Sequence, residues 1–387
     1  MSSDISLAPE QEAFRQEVRR FLAGGWTGVD PDSRDQQAFV KQAIEAGYLF
    51  RNVPKIYGGA EQAPDPIRAH IIAEEWRRAR APGPPGGANV NILVPTLLAA
   101  ASDWQKEMFI PKTLTGEYRW TQGYSEPGAG SDLAAVRTRA VLDGDEWVID
   151  GQKIWTSLAH QATHMYALVR TEPDAPKHDG ITYMLLRMDQ PGITVRPLRQ
   201  INGDATFNEV FLDGARTPKE WIVGERGKGW LVSRTTLNFE RNSVGGAEAS
   251  AKLLEQILRL ARTTDLEGRP AIEDAFVRDE LVRIQAMVTA HRLAGFRQLM
   301  NDACGRPISP AAGAYNKLYG SMIAERIAKV ARTIMGSHIL VEEGRGPSIW
   351  LKQYFNSIAA QIGGGASNMQ RNSIAERDLG LPRDQVG

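Results

Sequence analysis

The chain has 387 residues, of which 46 are Lys or Arg and 46 are Asp or Glu, so its formal net charge at pH 7 is zero. That length exceeds what a single hydrophobic core usually spans and predicts two or three subdomains, while the charge balance excludes the strongly basic class of nucleic-acid-binding proteins. The single cysteine, Cys304, excludes an internal disulfide and multi-cysteine metal or redox motifs. Because the sequence shows neither a secretory signal nor an apolar run of about 20 residues, we expect a cytoplasmic protein.

The first hundred or so residues predict helices. Phe14, Val18, Phe21 and Leu22 follow the spacing i, i+4, i+7, i+8 of one helix face, and the segment HIIAEEWRRA keeps this period. The segment PGPPGG at 82–87 interrupts the pattern, because prolines and glycines at this density are not tolerated inside a helix. The N-terminal part is therefore predicted to be helical, with one loop.

From about Tyr118 to Gly224 the sequence predicts a β domain. The β-rich runs are short, and the dipeptides Asp143-Gly144 and Asp150-Gly151 are turn signals between them. Six or more short strands at this spacing favour a barrel or a sandwich. The runs are VRTRAVL, EWVIDG, HMYALVR, ITYMLLR, ITVRPL and NEVFLDG.

The helical period returns near Trp230 and continues towards the C-terminus. Its clearest part is a stripe of large residues over four turns, at Tyr315, Leu318, Tyr319, Met322, Ile323, Ile327 and Val330. The order of helices, strands and helices does not alternate as in a doubly wound sheet, and no GxGxxG motif opens a helix. This pattern does not favour a Rossmann-type cofactor site.

The densest polar motif is WTQGYSEPGAGSDLAAVRTRA at 120–140. Gly128 and Gly130 allow another group to approach the backbone closely, and Ser125, Ser131 and Asp132 add short polar side chains. This composition suits a loop that binds an anionic or polar ligand, although an ordinary glycine-rich turn has the same composition.

A second motif, DGQKIWTS at 150–157, places Trp155 beside Thr156 and Ser157. An indole at this position could cover a flat ring while the hydroxyls bond the ring's heteroatoms. A lone Trp in a β domain is more often part of the core. His160, His164 and His178 also fall in the β domain, but no strand register makes them converge, so we expect them to be exposed or satisfied locally.

Together, SEPGAGSD, DGQKIWTS and the C-terminal IAERDLGLPR resemble the acyl-CoA dehydrogenase flavoproteins, and the resemblance spans the whole chain. It implies an α+β fold with an N-terminal helical domain (1–117), a central β domain (118–225) and a C-terminal four-helix bundle (226–387). It also implies bound FAD, an acyl-CoA substrate of fatty acid β-oxidation, and an electron-transfer flavoprotein as acceptor. The implied assembly is a homodimer or homotetramer, or a heteromer with a related subunit, in which a neighbour completes the flavin site.

The resemblance also assigns site residues. Those implied to bind the flavin are Gln122, Tyr124, Ser125, Gly130, Ser131, Trp155, Ser157, Gly336 in the segment TIMGS, Ala366 and Asn368. Those implied to contact the acyl-CoA are Ser131, Asn238, Arg241, Gly364 and Gly365. The main-chain N–H of Gly364 would bond the thioester oxygen and stabilise the enolate.

The base that removes the α proton requires a separate argument. Many family members carry the catalytic glutamate in the segment that here reads QIGGGASNMQR (361–371), where only glycines and alanine occupy the matching positions. A minority, including the isovaleryl and long-chain enzymes, carries it on a helix immediately before an arginine. Glu240 precedes Arg241 in LNFERNSVGG, so we expect Glu240 to be the base; the alternative is a solvated helix carboxylate.

Two other functional readings stay open at this point. The chain could be a flavin-binding but catalytically silent subunit of a heteromeric dehydrogenase, or an oxidase that passes electrons to oxygen, although such oxidases are typically longer. Substrate length and branching cannot be read from the sequence, but the glycines at 363–365 suggest a wide acyl pocket.

Overall fold

The computed structural model describes residues 8–26, 34–83, 88–243, 246–340 and 348–383. The chain forms two compact units, one comprising the residues up to Trp120 together with Leu299–Pro307 and the other comprising Thr121–Gln298 and the residues from Ile308 onwards. The second unit thus contains both the central strands and most of the C-terminal helices. Among the described helices, none combines the length and apolarity that a membrane span requires.

The first unit is helical, as the sequence predicts. Phe14, Val18 and Leu22 of the first helix are buried, and they share a core with Phe39 and Trp76. The loop predicted at 82–87 begins after the third helix, but 84–87 lie outside the described residues. The helices are α1 (Pro9–Gly25), α2 (Arg34–Glu45), α3 (Pro66–Ala79), α4 (Ala88–Ala100) and α5 (Asp103–Leu114).

The central β domain is an eight-stranded sheet in the order β6-β7-β3-β2-β4-β5-β8, with β1 paired to β4. Five strand pairs of this sheet, β2–β3, β3–β7, β4–β5, β5–β8 and β6–β7, are antiparallel. Strands β2 and β4 pair in parallel, with Arg139 opposite Arg170. The strands are β1 (Trp120–Gly123), β2 (Arg139–Asp143), β3 (Glu146–Ser157), β4 (His164–Arg170), β5 (Ile181–Arg187), β6 (Ile193–Leu198), β7 (Phe207–Pro218) and β8 (Ile222–Val223).

Two turn signals in the β domain have different outcomes. Asp143-Gly144 is a turn, with Gly144 at φ +64°, and it joins β2 to β3. The turn predicted at Asp150-Gly151 is wrong, because both residues lie inside β3. The sheet there has a register irregularity, and a Cβ on Gly151 would lie 2.5 Å from Thr138 Oγ1. Gly151 therefore permits a close approach between strands rather than a reversal of the chain.

The C-terminal part is helical. Its core joins α7, α8, α9 and α10 through residues such as Ile257, Ile284, Ile323 and Ile327. Of the stripe predicted on α9, Ile323, Ile327 and Val330 are buried, whereas Tyr315 and Met322 are more than a third exposed. The helices are α6 (Gly229–Ser243), α7 (Ala247–Thr263), α8 (Ala275–Ala303), α9 (Ala312–Met335), α10 (Ile349–Ala359) and α11 (Ser367–Arg377), and a short hairpin pairs β9 (Asp265–Leu266) with β10 (Arg269–Pro270).

Candidate active site

The two sequence motifs lie side by side at the C-terminal end of β3. Thr121 Oγ1 donates a 2.7 Å hydrogen bond to the main-chain oxygen of Ser157, and Ile154 N donates a 2.9 Å bond to that of Ser125. The residues 121–125 therefore run along the end of β3. These bonds bring Gln122 and Ser125 close to the segment that carries Trp155 and Ser157.

Trp155 does not belong to the core, as a lone Trp in a β domain usually would. Its side chain is 58% exposed, and its backbone has φ +60°, a left-handed conformation that bulky residues adopt at a cost. The ring of Phe207 packs edge-on against it, with 6.0 Å between centroids. Ser157 is also exposed, so an open indole face and a hydroxyl lie two residues apart.

A buried ion pair, which sequence reasoning missed, joins the two motifs. Lys153 Nζ lies 2.7 Å from Glu126 Oε1 and also donates to the main-chain oxygens of Leu168 (2.6 Å) and Tyr124 (3.3 Å). Glu126 also accepts bonds from the main-chain N–H groups of Arg137 and Thr138. Burial alone would raise the pKa of the Glu126 carboxyl, but Lys153 and the hydrogen bonds outweigh it and lower the pKa.

Each motif contributes one member of the pair, Glu126 in SEPGAGSD and Lys153 in DGQKIWTS, but both motifs also contain another charged residue, so the sequence does not single out this pair. Lys153 is completely buried, and the Glu126 carboxylate with two main-chain oxygens replaces the water that its ammonium loses. The pair fixes the SEPGAGSD loop against β3.

Helix α6 begins in close contact with the sheet. A Cβ on its first residue, Gly229, would lie 2.1 Å from the main-chain nitrogen of Tyr183 in β5, so only glycine fits there. Ser233 and Thr236 are fully buried, and Thr236 Oγ1 lies 3.5 Å from the Tyr183 hydroxyl. Because Glu240 is four residues after Thr236, it lies on the same helix face, one turn further on.

Glu240 is half-buried and faces the β domain. Gln122 Nε2 donates a 3.2 Å hydrogen bond to Glu240 Oε2, although the two residues are 118 positions apart in the chain. Burial, Tyr183 and the charge of Glu240 all raise the pKa of the Tyr166 hydroxyl. The Glu240 carboxylate therefore has a side-chain partner in the β domain.

Tyr124 lies in the interior of the domain. Its ring meets the rings of Tyr166 and Tyr183 edge-on at 5.9 and 6.2 Å, and those two rings stack on each other. Burial raises the pKa of its hydroxyl well above the usual 10.0. The side chain of Tyr124 therefore belongs to the core, and its main-chain oxygen accepts a 3.3 Å bond from Lys153 Nζ.

The SEPGAGSD loop leaves its glycines and Ser131 exposed. Neither Gly128 nor Gly130 has a positive φ, and a Cβ on either would meet nothing within 4 Å. Their lack of a side chain is therefore not required by the packing of this chain. An ion pair of 2.6 Å between Lys177 and Asp132 anchors the end of the loop.

The QIGGGAS segment is a turn between α10 and α11. Gly364 and Gly365 have φ +66° and +91°, and Gln370 Nε2 donates to both of their main-chain oxygens at 3.3 and 3.2 Å. Gln361 Nε2 donates to the oxygen of Ser321, which attaches the turn to α9. The segment carries no ionisable side chain, so it supplies backbone groups alone.

The remaining predicted residues lie at several places on the second unit. Gly336 ends α9 with φ +53° and open space at its Cβ position, and Ala366 precedes the first residue of α11. Asn368 is exposed in the first turn of α11, and Asn238 is exposed on α6. Arg241 belongs to α6, but its side chain lies outside the described part of the chain.

The histidines do not form a site. His160 contacts Asn208 at 3.1 Å, His164 stacks on Trp221, and His178 packs against Trp230. Within the described ranges, no group of three His, Cys, Asp or Glu side chains could hold a metal ion. Asn208 also donates to the main-chain oxygen of Thr156 at 2.9 Å and so supports the end of β3, a role that sequence reasoning missed.

The whole chain matches known protein domains. Residues 8–117, 121–214 and 227–379 match the N-terminal, middle and C-terminal domains of acyl-CoA dehydrogenases. The chain is 36% identical to acyl-CoA dehydrogenase IpdE1 of Mycobacterium tuberculosis, over 97% of this chain and 99% of that protein. Acyl-CoA dehydrogenase FadE29 of the same organism is 30% identical, over 98% and 99%.

Solved structures agree with these sequence matches. The ChsE4-ChsE5 complex from Mycobacterium tuberculosis contains a chain that is 30% identical, with a TM-score of 0.79 over 98% of this chain and 99% of that one. The Tcur3481-Tcur3483 steroid ACAD has the same identity and TM-score over 98% and 100%. The predicted order of N-terminal helices, central β domain and C-terminal helices is confirmed. The chain belongs to the acyl-CoA dehydrogenase family, and it is an oxidoreductase whose relatives are typically FAD-bound.

Proposed function

We propose that this chain binds FAD and catalyses the α,β-dehydrogenation of a bulky acyl-CoA thioester, with Glu240 as the base. The observation that carries the proposal is the 3.2 Å bond from Gln122 to Glu240, since it ties a half-buried carboxylate to the strand beside Trp155 and Ser157. A base must lie within reach of the reacting group, and its surroundings must hold it in place.

Several features of the chain fit a flavin. The exposed indole of Trp155 and the hydroxyl of Ser157 offer an apolar face beside a hydrogen-bonding group, which suits a flat ring with polar edges. The open Cβ positions of Gly128 and Gly130 leave space for a ligand that the chain itself does not fill. Ser125 and Ser131 would add polar contacts along the same loop.

When bound, FAD supplies the acceptor for the hydride that leaves the β carbon. The chain's own residues would perform the other half of the reaction: the Glu240 carboxylate takes the proton from the α carbon. The main-chain N–H of Gly364 would donate to the thioester oxygen and stabilise the enolate charge. Because a main-chain donor does not depend on the side chain, the glycines at 363–365 keep this contact while leaving the proton transfer to Glu240.

The substrate class rests on two observations. The turn at 363–365 has no side chains to fill an acyl pocket, and a similar protein is described as a steroid ACAD. Both support a large, polycyclic acyl group rather than a short straight chain. We further propose that electrons pass to an electron-transfer flavoprotein.

The assembly is proposed to be heteromeric, with this chain as the subunit that carries the base. Two similar structures contain pairs of different chains, ChsE4 with ChsE5 and Tcur3481 with Tcur3483. A cavity of about 490 Å³ lies between α8 and α9; Phe276 and Met322 are among the residues that line it, and Glu240 is not. Phe276 is 60% exposed, which supports a protein contact on this face. The mass of the chain in solution, alone and with a co-expressed related subunit, tests this proposal.

The catalytic proposal is tested by flavin bleaching without oxygen, using a panel of straight, branched and polycyclic acyl-CoA thioesters. Glu240→Gln preserves the shape of the side chain but removes the proton acceptor, so the bleaching rate should fall at least about 10²- to 10⁴-fold. Substrate affinity should change little because the amide still fills the site. Glu255→Gln, on the exposed side of α7, is the matched control and should bleach at the wild-type rate.

Four results would overturn parts of this proposal. A wild-type bleaching rate in Glu240→Gln would leave Glu240 without a catalytic role. A protein that takes up FAD but bleaches with none of the thioesters, alone or with its partner, would favour the silent-subunit alternative, and a protein that takes up no FAD would refute the flavin proposal. Best activity on straight C4 to C8 thioesters would contradict the assigned substrate class.

A further inference from the structure

The contact between Gln122 and Glu240 determines more than the location of the base. The Glu240 carboxylate can only accept hydrogen bonds when it is ionised, so the Gln122 amide must present its NH₂ group to Oε2, as the 3.2 Å geometry has it. A hydrogen bond to one oxygen restricts rotation of the carboxylate about its last bond. The amide does not titrate, so it orients the base without adding a charge.

Gln122 is itself held rigidly. The preceding residue, Thr121, is fully buried and bonded to Ser157, and the following residue, Gly123, is packed so closely that a Cβ there would lie 2.4 Å from the sulfur of Met165. The strand on which Gln122 stands is thus fixed on both sides. Glu240 stands on a helix whose start at Gly229 is pressed against β5. The hydrogen bond therefore joins two rigid elements rather than two loops.

We propose that Gln122 is a positioning residue for the reaction: it acts through Glu240 by holding the carboxylate in the orientation that accepts the α proton. This inference rests on the proposed role of Glu240 and assigns Gln122 a function different from the flavin contact that the family resemblance implies. A hydrogen bond to a charged group contributes enough to alter a rate roughly 10- to 100-fold when it is lost.

Two variants of similar shape separate the possible roles. Gln122→Met fills the same space without a donor, and Gln122→Glu keeps the shape but brings a second carboxylate to about 3 Å, where two like charges repel. If Gln122 positions the base, flavin reduction should be fastest in the wild type, slower in Gln122→Met and slowest in Gln122→Glu. If Gln122 only fills space, Gln122→Met should reduce its flavin at the wild-type rate, and only Gln122→Glu should be slow because its carboxylate repels that of Glu240.

The experiment measures anaerobic flavin reduction by stopped flow on the FAD-loaded protein in its native assembly, over a range of concentrations of the best thioester in the panel. This separates the limiting reduction rate from the substrate dissociation constant. We expect Gln122→Met to lower the limiting rate roughly 10- to 100-fold with the dissociation constant and the FAD content unchanged. Loss of FAD, or a weaker dissociation constant at an unchanged rate, would refute the positioning role.

A double-mutant cycle distinguishes this inference from the proposed function. If Gln122 acts through Glu240, Gln122→Met should have almost no further effect in the Glu240→Gln background. If Glu240→Gln is slow but Gln122→Met slows both backgrounds by the same factor, the positioning role is wrong and the base assignment stands. If Glu240→Gln reduces its flavin at the wild-type rate, both proposals fail.

Discussion

The buried pair between Lys153 and Glu126 predicts a large loss of stability when the lysine is replaced by methionine. Methionine fills a similar volume, so the change removes the charge and three hydrogen bonds without leaving a large cavity. Breaking one side of a buried ion pair typically costs about 3 to 5 kcal/mol. Glu126 keeps its two main-chain donors, so we expect Lys153→Met to lower the free energy of unfolding by about 3 kcal/mol, at the lower end of that range.

Urea unfolding followed by tryptophan fluorescence measures this loss. Glu126→Gln in the Lys153→Met background removes the unpaired charge, so the double variant should recover part of the stability. Lys228→Met is the matched control, because Lys228 forms a 2.8 Å ion pair with Asp179 at the surface. Loss of this exposed pair should lower the free energy of unfolding by less than about 1 kcal/mol. A Lys153→Met protein as stable as that control, or a double variant less stable than Lys153→Met, would refute the reasoning.

Two further predictions concern the C-terminal helices. Burial lowers the pKa of His291 below its usual 6.5, and the ring contacts Asn316 at 2.8 Å. The folded state therefore binds a proton less readily than the unfolded state. The free energy of unfolding should be at its full value above pH 6.5 and decline as the pH falls below 6.5. Urea midpoints between pH 5 and 8 should show this decline, and its persistence in His291→Gln would contradict the assignment. Gly365→Ala should destabilise the turn by about 1 to 3 kcal/mol, because φ is +91° and the added Cβ would lie 2.3 Å from Gln370 Nε2. Gly363→Ala, whose nearest atom would be 3.6 Å away, should be nearly neutral in thermal unfolding, and equal losses in the two variants would count against the argument.

Periodicity predicted the elements well where burial follows a repeating pattern. The spacing of Phe14, Val18 and Leu22 located the buried face of α1, and the runs HMYALVR and ITYMLLR located two strands that are almost entirely buried. The Asp150-Gly151 signal failed because glycine serves two purposes that look alike in a sequence, a reversal of the chain and a close approach between strands.

Contacts between distant segments were beyond the reach of sequence patterns. The alignment of Glu240 with Gln122 depends on how α6 docks on β5, which in turn depends on the missing Cβ of Gly229. Lys317 lies in the predicted stripe region of α9 but is 2% exposed, and its ammonium has no hydrogen-bond partner among the described residues. Nothing in the local sequence distinguishes this lysine from a solvated one.

Trp155 has a consequence for attempts to engineer this enzyme. Its left-handed backbone costs free energy, and its exposed indole gains little from burial. Leu158, three residues later, likewise combines a left-handed backbone with an exposed apolar side chain. A procedure that selects sequences for stability alone would favour glycine or asparagine with a smaller surface at these positions. Such a chain would gain thermal tolerance and lose the aromatic surface, so residues 155–158 should be held constant when the rest of the β domain is optimised.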